Sequence, residues 1–116
     1  MKLIKNINEI KKNIVKSLLP LNPYKIILFG SYAYGTPNQN SDIDLYIVTN
    51  DNFMPKSFKE ENDIYLPYSN SIRNLQKIIP IDIITHTKSM YTKFVSLQSS
   101  FSKEIENKGE ILWQKN

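Results

Sequence analysis

The chain has 116 residues, a formal net charge of +4, 41% hydrophobic and 22% charged residues, and no cysteine. That length suits a single domain over residues 1–116, with no room for a second core of independent stability. The composition excludes disulfide scaffolds and thiolate metal sites, and no apolar run of about 18 residues or more supports a transmembrane helix.

Near the N-terminus, Asn6-x-x-Glu9 reads as a capping box, with the asparagine oxygen taking a free backbone N–H and Glu9 reaching back. Ile7, Ile10, Ile14 and Leu18 then recur at helical spacing until Pro20 and Pro23 stop the helix. The lysines of this segment are spread through a polar, periodic pattern, unlike a secretory leader. With the missing cysteines, that favours the cytoplasm.

Lys25 to Phe29 is a short apolar run ended by Gly30, which predicts a buried strand. Ser31 to Tyr34 fits one helical turn before Gly35, and Thr36 to Ser41 reads as a loop. Asp42 to Val48 alternates as a second strand, with Ile43, Leu45 and Ile47 on one face and Asp42, Asp44 and Tyr46 on the other. A one-residue slip would bury both carboxylates, so the apolar face pins the register.

Lys56 to Tyr65 reads as a charged helix closed by Pro67. Ser69 or Asn70 can cap a further helix, with Ile72, Leu75 and Ile79 on its inner face. Pro80 admits a third strand, Ile81 to Thr85, carrying Asp82. Thr87 is expected to cap a helix through Leu97 with Met90, Phe94 and Leu97 inward. A last helix, Ser100 to Lys108, is expected to end at Gly109 in a left-handed C-cap, and Ile111 to Trp113 adds a short edge strand. His86, the only histidine, reads as a surface residue.

Charge is unevenly placed. Residues 1–25 hold six lysines against Glu9, whereas residues 26–87 hold seven acids against Lys56, Lys59, Arg73 and Lys77. A basic end can meet nucleic acid or an acidic partner, although a solvated helix face is the plainer reading. The acidic middle suits a cation site.

The chemistry lies in Gly30-Ser31-x10-Asp42-x-Asp44. Two aspartates separated by one residue on a strand point the same way, about 7 Å apart, and repel unless a cation lies between them. Hard oxygen donors without cysteine point to magnesium or manganese rather than zinc. Asp82 is the natural third ligand, because an aspartate in an apolar strand must be exposed, paired or metal-bound. Glycine lets backbone approach a ligand, and Ser31 with the following N–H groups can face phosphate oxygens. A Gly-Ser pair alone is usually just a turn.

With its flanking strands, the stretch Ile27-Leu28-Phe29-Gly30-Ser31-Tyr32-Ala33-Tyr34-Gly35 followed by Ser41-Asp42-Ile43-Asp44-Leu45 resembles the minimal nucleotidyltransferases of the DNA polymerase beta superfamily. The resemblance covers about residues 26–85. It implies an α/β (α+β) fold, a small mixed sheet flanked by helices. It implies two Mg2+ ions, with Mn2+ as a substitute, held by Asp42, Asp44 and Asp82. It implies that Gly30 and Ser31, with Asp42 and Asp44, bind ATP or another nucleotide. An acceptor hydroxyl then attacks the α-phosphorus, with Asp82 nearest the acceptor.

Where many relatives carry arginines in the turn, this chain has Tyr32 and Tyr34, which leaves the triphosphate to backbone N–H groups and magnesium; Arg73 or Lys77 could add to these, although a solvated helix face is the plainer reading of both, and Tyr32 either stacks on the base or packs. Larger relatives append a helical domain that binds the acceptor, whereas at most a few short helices are expected after Asp82 here, so a partner is expected to bring the acceptor. The chain resembles the antitoxin half of HEPN/MNT toxin–antitoxin pairs, in which AMP is transferred to a tyrosine of an all-helical HEPN RNase toxin. Two other readings stay open: a nucleotidyltransferase with a small-molecule or RNA acceptor, and a non-catalytic antitoxin that neutralises its partner by binding.

Overall fold

The computed structural model describes residues 6–116. The first helix, α1, spans Ile7–Leu18, and the Asn6 side chain accepts the Glu9 N–H at 3.1 Å. Glu9 reaches back as expected, but its carboxylate accepts from the Asn6 side-chain amide, at 3.2 Å. Ile10, Ile14 and Leu18 are its buried stripe, and Pro20 falls in a short 3-10 turn, Leu19–Leu21, that ends it.

Strand β1, Lys25–Phe29, leads through the single turn of α2, Ser31–Tyr34, to strand β2, Ile43–Val48. The helix α3, Phe58–Ser71, then crosses to strand β3, Ile81–His86, and helices α4, Lys88–Ser96, and α5, Ser100–Lys108, precede strand β4, Glu110–Gln114. The strands form one mixed sheet in the order β3-β2-β1-β4. β1 is antiparallel to both β2 and β4, while β2 and β3 are parallel. A parallel pair needs a crossover connection, and the segment carrying α3 supplies it.

Ile43, Leu45 and Ile47 face a core layer shared with α1 and with Tyr68, Ile72, Leu75 and Ile79. On the opposite face of β2, Tyr46 and Val48 are buried with Ile105 of α5, against Tyr91 and Phe94 of α4. β2 is thus covered on both sides, and only its first residues open to solvent on the second face. The α/β architecture matches the expected small mixed sheet with helices on both sides.

Several local expectations give way to packing. Pro67 does not close α3 but lies inside it. A proline in a helix interior costs about 3 kcal/mol through its missing hydrogen bond and ring clash. Burying Ile64, Tyr68 and Ile72 contributes about 1.5–3 kcal/mol for each large apolar side chain, so tertiary contacts win. Ser57 caps this helix by accepting the Glu60 N–H at 3.1 Å. Pro67→Ala is expected to raise the urea midpoint, by about 1–2 kcal/mol of stability, because the helical N–H is restored while some unfolded-chain rigidity is lost.

The separate helix expected from Ser69 or Asn70 is absent. A turn and a 3-10 segment, Leu75–Lys77, take its place, yet Ile72, Leu75 and Ile79 are buried as expected. Leu97 is not inward: it caps the end of α4 and is 67% exposed. Gly109 ends α5 with extended backbone, φ −64° and ψ 152°, not in the left-handed region. Its glycine identity answers to space, since a Cβ there would stand 2.5 Å from both the Ile105 carbonyl oxygen and the Ile27 side chain.

His86 is not a surface histidine. Its ring stands edge-on to Tyr46 at 5.1 Å and to Phe94 at 5.5 Å, and its Nδ1 lies 2.6 Å from the Tyr46 hydroxyl oxygen. Burial lowers its pKa below the ordinary value, with a smaller opposing pull from Glu61. The unfolded chain therefore takes up a proton, as pH falls, before the folded chain does. Stability is full above the unfolded pKa and is lost as pH falls through the folded one. Urea midpoints measured from about pH 8 to about pH 5 should fall in the native chain, and His86→Gln should flatten that slope.

Candidate active site

Register brings the three aspartates and the glycine turn to one end of the sheet. Phe29, the last residue of β1, pairs with Asp44 of β2. Asp44 in turn pairs with Asp82 of β3 in the parallel ladder. Paired neighbours point to the same face, so Asp44 and Asp82 stand side by side on strands about 4.8 Å apart. Asp42, just before β2, precedes Asp44 by one strand repeat on that face. Gly30 follows Phe29 directly, so the C-terminal end of one strand meets the N-terminal ends of two others.

Gly30 is required there for two reasons. Its φ of +78° lies in the region that side chains rarely adopt, and an added Cβ would stand 2.3 Å from Asp44 Oδ2. The glycine backbone thus forms the wall against which the Asp44 carboxylate lies. Its carbonyl accepts the Ala33 and Tyr34 N–H groups at 3.0 and 3.1 Å, which closes the α2 turn. The first N–H groups of such a turn have no partner within it and are free to donate outward.

Burial pushes the Asp44 carboxyl above the usual carboxylate range, and the charges of Asp82 and then Asp42 push it further. Neither ion pair found among the described residues involves these aspartates; the two are Lys11–Glu110 and Lys59–Asp63. Asp82 is exposed and Asp42 and Asp44 are half-buried. Among the described residues, no three His, Asp or Glu side chains converge closely enough, as placed, to ligate one ion. The donor chemistry nevertheless fits a hard divalent cation: three carboxylates, no soft ligand, and a mutual repulsion that no ion pair among the described residues relieves. Sharing ions requires rotation of aspartate side chains, since the backbone register already sets Asp44 beside Asp82.

Of the other residues singled out, Tyr32 packs against the main core. Tyr34 is partly exposed, and its hydroxyl bonds the Glu104 carboxylate of α5. Burial and then that bond raise its pKa. Glu104 was not legible as a neighbour of the turn, because 70 residues separate it from Tyr34. Arg73 is exposed and bonds Asn70, and Lys77 is exposed in the 3-10 segment. His86 pairs with Val48 at the opposite end of the β2–β3 ladder, about 13 Å along the strand from Asp82, so it takes no part here.

A model of the nucleotidyltransferase domain family matches residues 7–112. A Methanocaldococcus jannaschii protein named "Putative protein adenylyltransferase MJ0141" is 32% identical over 109 residues, covering 94% of this chain and 97% of its own length. Another from the same organism, "Putative protein adenylyltransferase MJ1379", is 37% identical over 98 residues, covering 82% and 89%. Among solved structures, the crystal structure of a toxin-antitoxin with AMP-PNP shares the fold with a TM-score of 0.55 at 20% identity, over 91% of this chain and 74% of that one. A mutant of the toxin-antitoxin MntA-HpeT gives 0.54 at 19% identity, with the same coverage.

Proposed function

The chain belongs to the nucleotidyltransferase domain family, and from that premise we propose that it transfers AMP from ATP to a tyrosine hydroxyl of a partner protein, a HEPN RNase toxin, and so acts as that partner's antitoxin in the cytoplasm. The observation that carries the reading is the register that sets Asp44 beside Asp82 with Gly30 against the Asp44 carboxylate. The protein acceptor is supported by the names of the curated relatives, and the toxin partner by the toxin-antitoxin structures that share the fold.

Asp42, Asp44 and Asp82 would hold two Mg2+ ions, for which Mn2+ can substitute. Bound magnesium supplies neutralisation of the phosphate charge and a lower pKa for the acceptor hydroxyl. The chain's own part is to bind and to orient. Backbone N–H groups of the Gly30–Ser31 turn donate to the phosphate tail, and the three aspartates would help orient the nucleotide only by holding those ions. The acceptor oxygen forms the new P–O bond as the bond to the β-phosphate bridging oxygen breaks, and pyrophosphate leaves. Asp82, exposed at that end, takes the acceptor's proton. Fixed geometry and charge supply most of the acceleration in such reactions.

The test incubates the chain with Mg2+ and α-labelled ATP, with and without a purified HEPN protein. Label on one tyrosine of that protein, lost on its change to phenylalanine, is the expected result. Label on RNA or on a small alcohol overturns the acceptor, and full neutralisation by Asp44→Ala shows inhibition by contact alone.

A further inference from the structure

A groove of about 690 Å³ between α1 and β4 lies away from the carboxylates. We infer that this groove receives an extended acidic segment of a partner protein, which adds as a fifth strand along the open edge of β4. Three observations support it.

First, among the described residues β4 ends the sheet and bonds only to β1, so its outer row of peptide N–H and C=O groups has no strand partner there. Such edges are templates for an added strand. This one is five residues long and its register with β1 shifts between Ile26 and Ile27. A short, irregular edge does not capture strands indiscriminately, so side-chain contacts must select the occupant.

Second, those contacts are present. Val15, Leu19, Ile111 and Leu112 line the groove; Leu19 is 38% and Ile111 53% exposed. An apolar side chain entering there loses water from both surfaces.

Third, the charge chooses the partner. Lys11 is neutralised by Glu110 at 2.9 Å, which leaves the exposed Lys12 and Lys16 as the groove's net charge. One helical turn apart, they stand about 6 Å from each other. That nearly equals the roughly 7 Å between alternate residues of a strand. On a segment with acids at alternate positions, those acids face the lysines of α1, and the apolar residues between them face the other side of the sheet, where Ile111 stands opposite Ile27 and is 53% exposed. A second copy of the chain fits worse, because pairing β4 with β4 would bring four lysines together.

The inference goes beyond the site chemistry. Its test uses no nucleotide, so it and the proposed reaction can fail separately. The probe is a short fluorescein-labelled peptide alternating Glu and Val, read by anisotropy against a Lys–Val counterpart and an oligouridylate of equal length. Binding of the Glu–Val peptide alone, weakening as salt rises, is expected. Lys12→Glu with Lys16→Glu should weaken it at least about tenfold, and N-methylation of alternate peptide bonds in the probe should do the same by removing main-chain donors. A Glu–Val peptide that does not bind, that binds the double variant equally, or that binds equally when N-methylated overturns the inference. Binding of oligouridylate in its place also overturns it, in favour of nucleic acid. Circular dichroism confirms that the variant folds, and the N-methylated probe keeps the test independent of any variant.

Discussion

Asp44→Asn is expected to lower AMP transfer by about 10³-fold or more while raising the melting temperature of the metal-free protein. The loss follows from the central place of Asp44, flanked by Asp82 across the ladder and Asp42 along the chain. Removing one group of a preorganised electrostatic site commonly costs about 10²–10³ in rate, and here the group stands between the two other carboxylates of the proposed ion site. The gain has the same origin. The folded-state pKa of Asp44 is raised, first by burial and then by its two acidic neighbours. A raised carboxylate pKa contributes stability that is present below the unfolded pKa and lost as pH rises through the folded one. At neutral pH the ionised group opposes folding, and a neutral amide of the same shape relieves it. Activity by label transfer and melting by calorimetry in EDTA check the two halves. Mg2+ should then raise the melting temperature of the native chain and leave that of Asp44→Asn nearly unchanged. A variant as active as the native chain removes Asp44 from the chemistry.

Gly30→Ala is the second large effect, and it acts through backbone. The φ of +78° carries a strain of about 1–3 kcal/mol for a residue with a side chain. The added methyl would also meet Asp44 Oδ2 at 2.3 Å. Something must shift, and the yielding atom is the carboxylate, the far end of a side chain. Stability is expected to fall by about 2 kcal/mol, measured by urea denaturation. Transfer should fall by about 10²-fold even where the protein is fully folded, since small misplacements of catalytic groups are expensive. Normal activity in a folded Gly30→Ala protein would show that the turn does not position Asp44.

Much of the fold was legible because its signals are local. The Asn6 cap and the Ile10, Ile14 and Leu18 stripe give α1 from residues within a few turns of one another. The apolar runs ending at Gly30 and beginning at Asp42 give β1 and β2 to within a residue, and Thr87 and Ser100 mark where α4 and α5 begin. Two failures share a cause. Pro67 argues locally for a helix end, and only the burial of Tyr68 and Ile72 against distant α1 and the sheet overrides it. Gly109 resembles a left-handed cap until Ile27, 82 residues earlier, is found beside it. His86 looks isolated until Tyr46 and Phe94 close around it. For Pro67 and for His86 a deciding partner lies far along the chain, and local propensity is worth less than the burial it competes with.

The candidate site divides in the same way. The amino-acid sequence by itself determined the residue types and their spacing: Gly30 and Ser31 after an apolar strand, Asp42 and Asp44 on one face, Asp82 in an apolar run, and so the family and its class of chemistry. Those features depend on period and composition, which the chain carries without folding. Only the tertiary structure decided that β3 runs parallel to β2 with Asp82 opposite Asp44, that Gly30 abuts the Asp44 carboxylate, that Glu104 holds Tyr34, and that β4, the sheet's edge among the described residues, lies beside the exposed Lys12 and Lys16. Those are relations between segments, set by which surfaces bury one another, and no window along the chain contains both partners.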